Sequence, residues 1–290
     1  MRVCAASEAG DPTVPNEDWA LAGENLIVVL DGATVRTGTG CEHSVTWYAA
    51  KLGSALAGLA VDRDTHLVDA LAQGIRAVAD QHRHRCDLDH PGTPSAATAV
   101  LRPRDGSLEF LVLGDVTVVV DTADGIRVVT DDRVDRTARA EREEADRHPF
   151  GSAAKRAALL RMKHAELAAR NRPGGYWVAA ADPDAASHAI TGGVPLDSVR
   201  RLAVLTDGAA RSVALFGLST WVDVLDALDR DGPVALIRRV RAVEAADPSC
   251  LRWARNKCSD DATAVYATRT GDPLGWPAPD ERPPGHRPAP

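Results

Sequence analysis

The sequence holds no apolar run approaching the ~20 residues that span a bilayer. Its first ten residues, MRVCAASEAG, lack the apolar core of a secretory signal. Its five cysteines (Cys4, Cys41, Cys86, Cys250 and Cys258) form no Cys-x-x-Cys pair, and an odd, scattered set suits reduced thiols better than a disulfide framework. There is no surplus of positive charge. The formal net charge of -7 argues against a nucleic-acid partner. Internal repeats are absent too. The expectation is a soluble, cytoplasmic, monomeric protein with neither membrane nor nucleic acid as partner.

What is present is ordinary globular material, 44% hydrophobic and 26% charged over 290 residues. The end differs in kind. Seven of the 18 prolines fall between Pro273 and Pro290. Such composition cannot bury a core, so residues 1–268 read as one domain and 269–290 as a disordered, proline-rich tail.

Along the domain, RVCAAS, DWALAG and NLIVVLD read as strands, with Gly23-Glu24 as a tight turn between the last two. Two helices are predicted, from Glu42 to about Ala60 and from about Thr65 to Arg83, each with an apolar face. SAATAVLRP, SLEFLVLGD, VTVVVDT and GIRVVT are short β-branched runs with Asp-Gly turns. A charged helical region follows from about Asp135 to Asn171, broken near Pro149 and Gly151. GGYWVAA and SHAITGG are predicted strands, then LAVLTDG. Two or three helices between about Ser212 and Ala246 and a last strand, ATAVYAT, complete the domain. Strands and helices come in blocks, without βαβ alternation, so the class is α+β with antiparallel sheets.

Several carboxylates share one kind of position, where a buried strand meets a loop. They are Glu17 and Asp18 in NED, Asp31 in LDG, Asp115 in LGD, Asp207 in TDG and Asp260 in SDDAT. If neighbouring strands end at one rim, these charges converge and repel. Hard divalent cations with oxygen ligands resolve that repulsion, and two of them bridged by a carboxylate can activate a water. A glycine after an aspartate lets the backbone carbonyl come close enough to serve as a ligand. Alone, Asp31-Gly32 would read as a turn. A haloacid-dehalogenase-type nucleophile needs a second aspartate two residues on, where Ala33 stands. A receiver-domain phosphoacceptor needs the missing βαβ alternation.

In this order, NED at 16–18, VVLDG at 28–32, SAATAVL at 95–101, LVLGD at 111–115, LAVLTDG at 202–208 and DDATAV at 260–265 resemble the metal-dependent protein phosphatases of the PP2C (PPM) family. The resemblance runs to about residue 268. It implies a four-layer α-β-β-α sandwich with two central antiparallel sheets and two Mg²⁺ or Mn²⁺ ions at one end. Asp31 would bridge the ions, and Gly32 would lend its carbonyl to the first. Asp207 and Asp260 would hold the second. Glu17 and Asp18 would shape the rim or hold metal-bound water, and Asp115 with Asp207 would hold a looser third ion. The implied reaction is direct attack of metal-bound water on a phosphorylated serine or threonine of a protein.

Four positions depart from the family pattern. The phosphate-binding arginine is Thr13, a histidine proposed as proton donor is Ala33, the serine after Gly-Asp is Val116, and Asp-Asn is Asp260-Asp261. Arg36 and Arg211, near Asp31 and Asp207 in sequence, are the candidate replacements for the arginine. Thr13 and Ala33 motivate a second reading, a weak or inactive pseudophosphatase that binds partners. A third keeps the chemistry on a small phosphorylated molecule.

Other motifs carry less. QHRHRCDLDH contains His82, His84, Cys86 and His90, but the spacing fits no usual paired zinc motif, and a polar helix end is expected. KRAALLRMKHAELAAR, residues 155–170, reads as an amphipathic surface helix or as a flap that selects acidic phosphosubstrates. A catalytic thiol at Cys41 would need a Cys-x5-Arg loop, which is absent.

Overall fold

The short β-branched runs pair as two five-stranded antiparallel sheets in a computed structural model that describes residues 1–269. The first sheet has the order β1 (Arg2–Glu8), β10 (Ala262–Thr268), β9 (Val199–Leu205), β6 (Thr117–Thr122) and β7 (Gly125–Val129). The second has the order β2 (Trp19–Ala22), β3 (Ile27–Gly32), β4 (Ala96–Arg104), β5 (Ser107–Leu113) and β8 (Ile190–Pro195). The proline-rich tail lies outside the described residues.

The unbroken apolar runs follow from burial on both faces. In β3, Val28 and Leu30 pack under α1 (Val45–Ala60) and α2 (Leu67–His82), while Ile27 and Val29 pack against the other sheet. In β9, Leu202 and Val204 face the inter-sheet core, while Ala203 and Leu205 meet α6 (Asp207–Ala214) and α7 (Trp221–Ala246). The result is the expected four-layer α-β-β-α sandwich. Each fully buried aliphatic side chain contributes about 1.5–3 kcal/mol, so the strand ends that carry the carboxylates are firmly anchored.

Local chemistry sets the element ends. Ser44 caps α1 by accepting from the Trp47 amide at 3.1 Å, which starts the helix three residues after the expected Glu42. At its other end the buried Arg102 of β4 donates to the carbonyls of Ala60, Asp62 and Thr65 at 2.7–2.8 Å. One guanidinium thereby ties down three carbonyls at the α1–α2 connection. Gly232, at φ 78, and Pro233 kink α7 into two segments.

Several local expectations are corrected. The β2–β3 connection is a four-residue loop, Gly23 to Leu26, closed by the Gly23 amide donating to the Leu26 carbonyl at 2.9 Å. GGYWVAA is not a strand but an irregular segment joined to β4 by the Ala96–Ala179 bridge, and its Val178 amide turns to the Asn171 side chain at 2.9 Å. SHAITGG begins in a 3-10 helix, Pro183–His188, and only its second half enters β8. The charged region forms three helices: α3 (Arg133–Arg136), α4 (Arg139–Asp146) and α5 (Ala153–Ala169). In α5 the amphipathic reading is partly inverted. Lys155 is buried on Asp146 at 3.1 Å and Glu166 on Arg142 at 2.9 Å, whereas Leu160 is exposed.

Candidate metal centre

Asp31 ends β3 in one sheet, and Asp207 opens α6 directly after β9 in the other. They meet: the Asp207 amide donates to Asp31 Oδ2 at 3.1 Å. Asp115 follows Gly114 in the link from β5 to β6, where the chain crosses between the sheets. Gly114 takes φ +85, and a Cβ there would stand 2.6 Å from that of Ala97, so glycine is required. Two further glycines permit close backbone approach. A Cβ on Gly32 would lie 2.5 Å from the Glu17 carbonyl oxygen, and one on Gly208 would lie 2.0 Å from that of Asp261.

Asp18 enters from the start of β2. Its Oδ2 accepts from the buried hydroxyls of Thr206, at 2.9 Å, and Thr263, at 2.7 Å. Its Oδ1 is buried with no hydrogen-bond partner among the described residues. Glu17 accepts from the Thr34 hydroxyl at 2.8 Å. Asp261 uses both oxygens to accept from the Gly10 amide at 2.9 Å and the Glu17 amide at 2.7 Å. It thereby pins the N-terminal loop to the rim.

The electrostatics follow from crowding. Asp31 is held well above the usual carboxylate range by burial and by Asp207, Asp18, Asp115 and Asp260. Burial, then Asp207 and Asp135, push Asp115 up to about 7. Burial pushes Asp18 up to about 8, against the pull of its two threonine hydroxyls. Enclosure and Asp260 raise Asp207 to about 6, although its side chain still reaches solvent at the mouth. Glu17 is also raised, mainly by burial. These groups carry more negative charge than the neighbouring cations offset, the condition that a divalent ion relieves. The oxygen donor set and the unpartnered Asp18 Oδ1 fit hard cations.

Sequence reasoning missed Lys257. Its ammonium pairs with Asp260 Oδ1, and its charge is further favoured by Asp207 and Asp31. The signal available was a lysine three residues before Asp260. Asp135 of α3, beside Asp115, was missed as well. Arg211 is buried, donating to Glu244 Oε1 at 2.5 Å and to Asp260 Oδ2 at 3.2 Å, so its guanidinium is committed inside the fold rather than free for a phosphate. Arg36 is half-buried and donates to the Asn256 carbonyl at 2.9 Å. Thr13 sits in an exposed turn on Asp11, so no cation reaches the rim from that position.

The family model described as Protein phosphatase 2C matches residues 14–236. The chain belongs to the protein phosphatase 2C family. Solved structures of the same fold include the Mycobacterium tuberculosis serine/threonine phosphatase PstP/Ppp, at TM-score 0.57 and 19% identity over 92% of this chain and 97% of that one. The catalytic domain of the serine threonine protein phosphatase PstP in complex with two manganese ions aligns at TM-score 0.54 and 18% identity, over 92% and 97% of the two chains. Serine/threonine phosphatase Stp1 from Staphylococcus aureus aligns at 0.53 and 13%, over 93% and 96%. No curated protein sequence matches significantly. Family members are metal-dependent serine/threonine protein phosphatases, and the six motifs follow in family order along the chain. No helix among the described residues is long and apolar enough to cross a membrane.

Proposed function

We propose that the chain is an Mg²⁺- or Mn²⁺-dependent phosphatase that hydrolyses phosphoserine or phosphothreonine in proteins and works as a monomer. One observation carries this reading: Asp31, Asp207, Asp115 and Asp18 converge with Asp260 at a single rim where two sheets meet, and burial and like charge hold the first four above the usual carboxylate range. Such mutual repulsion is costly to retain unless cations offset it. Asp31, the Gly32 carbonyl, Asp207 and Asp260 would hold two ions, and Asp115 with Asp207 a third. When bound, the ions supply Lewis-acid charge and bring the pKa of water toward neutrality, so that it can attack phosphorus. The structure of a relative holding two manganese ions supports the choice of metal.

The chain's own groups supply the rest. Thr206 and Thr263 orient Asp18, and Thr34 orients Glu17, so both carboxylates are held before substrate arrives. Lys257 and Arg36 are the cations we assign to the substrate phosphate in place of Thr13. Beyond Arg36 lies a cavity of about 440 Å³ between Thr37, Gly38, His90, Pro91, His164 and Arg172, which suits residues flanking a phosphoserine. The test is hydrolysis of p-nitrophenyl phosphate and of a phosphothreonine peptide, with and without Mn²⁺. Asp31→Asn and Asp207→Asn are expected to lose at least ~100-fold in metal-dependent rate while keeping the fold, and full activity in either would sink the reading.

A second reading, a binding module with little turnover, rests on Asp260. Lys257 and Arg211 already neutralise this carboxylate, and so compete with an ion for it. It predicts Mn²⁺ binding by calorimetry with no Mn²⁺-dependent rate on either substrate.

A further inference from the structure

The fold assembles a second cluster of ligating side chains on the face of α1 and α2, built from sulfur and nitrogen rather than oxygen. His82 is the last residue of α2, and Cys86 lies one turn further on, its amide donating to the His82 carbonyl at 3.0 Å. Four residues apart across the turn that this hydrogen bond closes, the two side chains meet on one side. Cys41 arrives from the segment between β3 and α1, and its Sγ stands 2.7 Å from Cys86 Sγ and 3.4 Å from His82 Nδ1. The QHRHRC run offered two ligands without a partner in sequence. The partner comes from 41 residues upstream of His82.

The segment that carries Cys41 is shaped for this approach. Gly40, at φ +65, lies so close to His90 that a Cβ would stand 2.5 Å from the His90 Cβ, and its carbonyl accepts from the Asp87 amide at 2.8 Å. Arg85 pairs with Glu42 at 2.9 Å on the other side of Cys41. The His43 amide donates to Cys41 Sγ at 3.4 Å, a contact that a thiolate strengthens.

We propose that Cys41, His82 and Cys86 bind a zinc ion, with water as the fourth ligand, and that this ion fastens the 33–44 segment to the end of α2. His82 is 2% exposed, its Nε2 has no hydrogen-bond partner among the described residues, and Nδ1 has only the Cys41 sulfur. The nitrogen turned toward the sulfurs is Nδ1, and a buried ring nitrogen with a thiol as its one partner is open to an ion. A Cys41–Cys86 disulfide would use both sulfurs and give Nδ1 no ion to hold, so the imidazole set against the thiol pair favours zinc, and the redox state of the two thiols separates the two chemistries. Two thiolates and an imidazole are soft donors that select zinc over Mg²⁺ or Mn²⁺. Zn–S and Zn–N bonds of about 2.3 and 2.0 Å put Sγ and Nδ1 about 3.5 Å apart, close to the distance found, and would spread the two sulfurs to about 3.8 Å. Trp47 and His43 rings pack against His82 at 5.1 and 5.7 Å between centroids and enclose it. Cys86 is buried and Cys41 half-exposed, so the fourth position opens to solvent at Cys41.

The role is structural. The fastened segment carries Arg36, which reaches across to the Asn256 carbonyl, one residue from Lys257. The site would thus steady one cation of the substrate-binding edge without touching the carboxylates.

Cobalt tests this independently of phosphatase activity. Full-length protein, kept reduced, stripped with chelator and titrated with Co²⁺, is expected to develop a near-ultraviolet thiolate-to-cobalt charge-transfer band saturating at one equivalent. Carboxylate-bound cobalt has no such band. Cys41→Ser, Cys86→Ser and His82→Ala should lose or shift it, whereas Asp31→Asn and Cys258→Ser should keep it. Zn²⁺ should bleach the band and shield two thiols from a disulfide reagent, a readout that needs no variant to fold. Absence of the band in the unsubstituted chain, its persistence unaltered in Cys41→Ser, or a Cys41–Cys86 disulfide in protein isolated without reductant would each overturn the assignment.

Discussion

Asp18 condenses the electrostatic problem of the centre into one side chain. One oxygen takes two hydroxyl hydrogen bonds, and the other is buried and unpartnered among the described residues. An unfolded aspartate titrates near 4, whereas Asp207, Asp115 and Asp18 are pushed up to about 6, 7 and 8. Between those values the folded metal-free chain holds more protons than the unfolded chain. Its stability is therefore fullest below about pH 4 as far as these groups are concerned, and falls as pH rises through 6 to 8. Melting in EDTA is expected to occur at lower temperature at about pH 8.5 than at about pH 6, with saturating Mn²⁺ removing the decline. A melting point that rises over that interval in EDTA would contradict the charge picture. Lys257 belongs to the same balance. Lys257→Met leaves Asp260 with one fewer competing cation, and a part-exposed pair is worth up to about 1 kcal/mol. Mn²⁺ titration should therefore show severalfold tighter binding, and weaker binding would mean that Lys257 supports the site instead of competing for it.

At the scale of elements, the junctions after the strands matter most. α6 begins at Asp207 only because Gly208 lets the helix lie against the 260–261 backbone. Gly208→Ala sets a methyl 2.0 Å from a carbonyl oxygen, and such overpacking costs about 1–3 kcal/mol. Denaturant unfolding of the metal-free variant checks the cost, and loss of Mn²⁺ binding at temperatures where the variant is folded checks the displacement of Asp207. These junctions were legible in the sequence because an apolar run that stops at Asp-Gly marks both a strand and its end. Lys257, Asp135 and Cys41 were not. They lie on loops or a one-turn helix, and their positions are set by what those segments pack against, which periodicity does not encode. GGYWVAA misled for a related reason. Its side chains are buried like those of a strand, but its backbone amides find side-chain and isolated-bridge partners instead of a continuous ladder.

For the whole molecule, the decisive feature is that the carboxylates belong to different sheets. Asp31 comes from one sheet, Asp207 and Asp260 adjoin the strands of the other, and Asp115 sits where the chain passes between them. The inter-sheet core of Val29, Val112, Val204 and Val265 holds the layers together by non-directional burial. At the acidic end the same layers are pushed apart by like charge. Ions bound there would act as rivets between two plates. Without them, the sandwich should gape from that end first, and amide exchange at the tips of β3, β9 and β10 should quicken on chelation while the opposite ends of those strands stay protected.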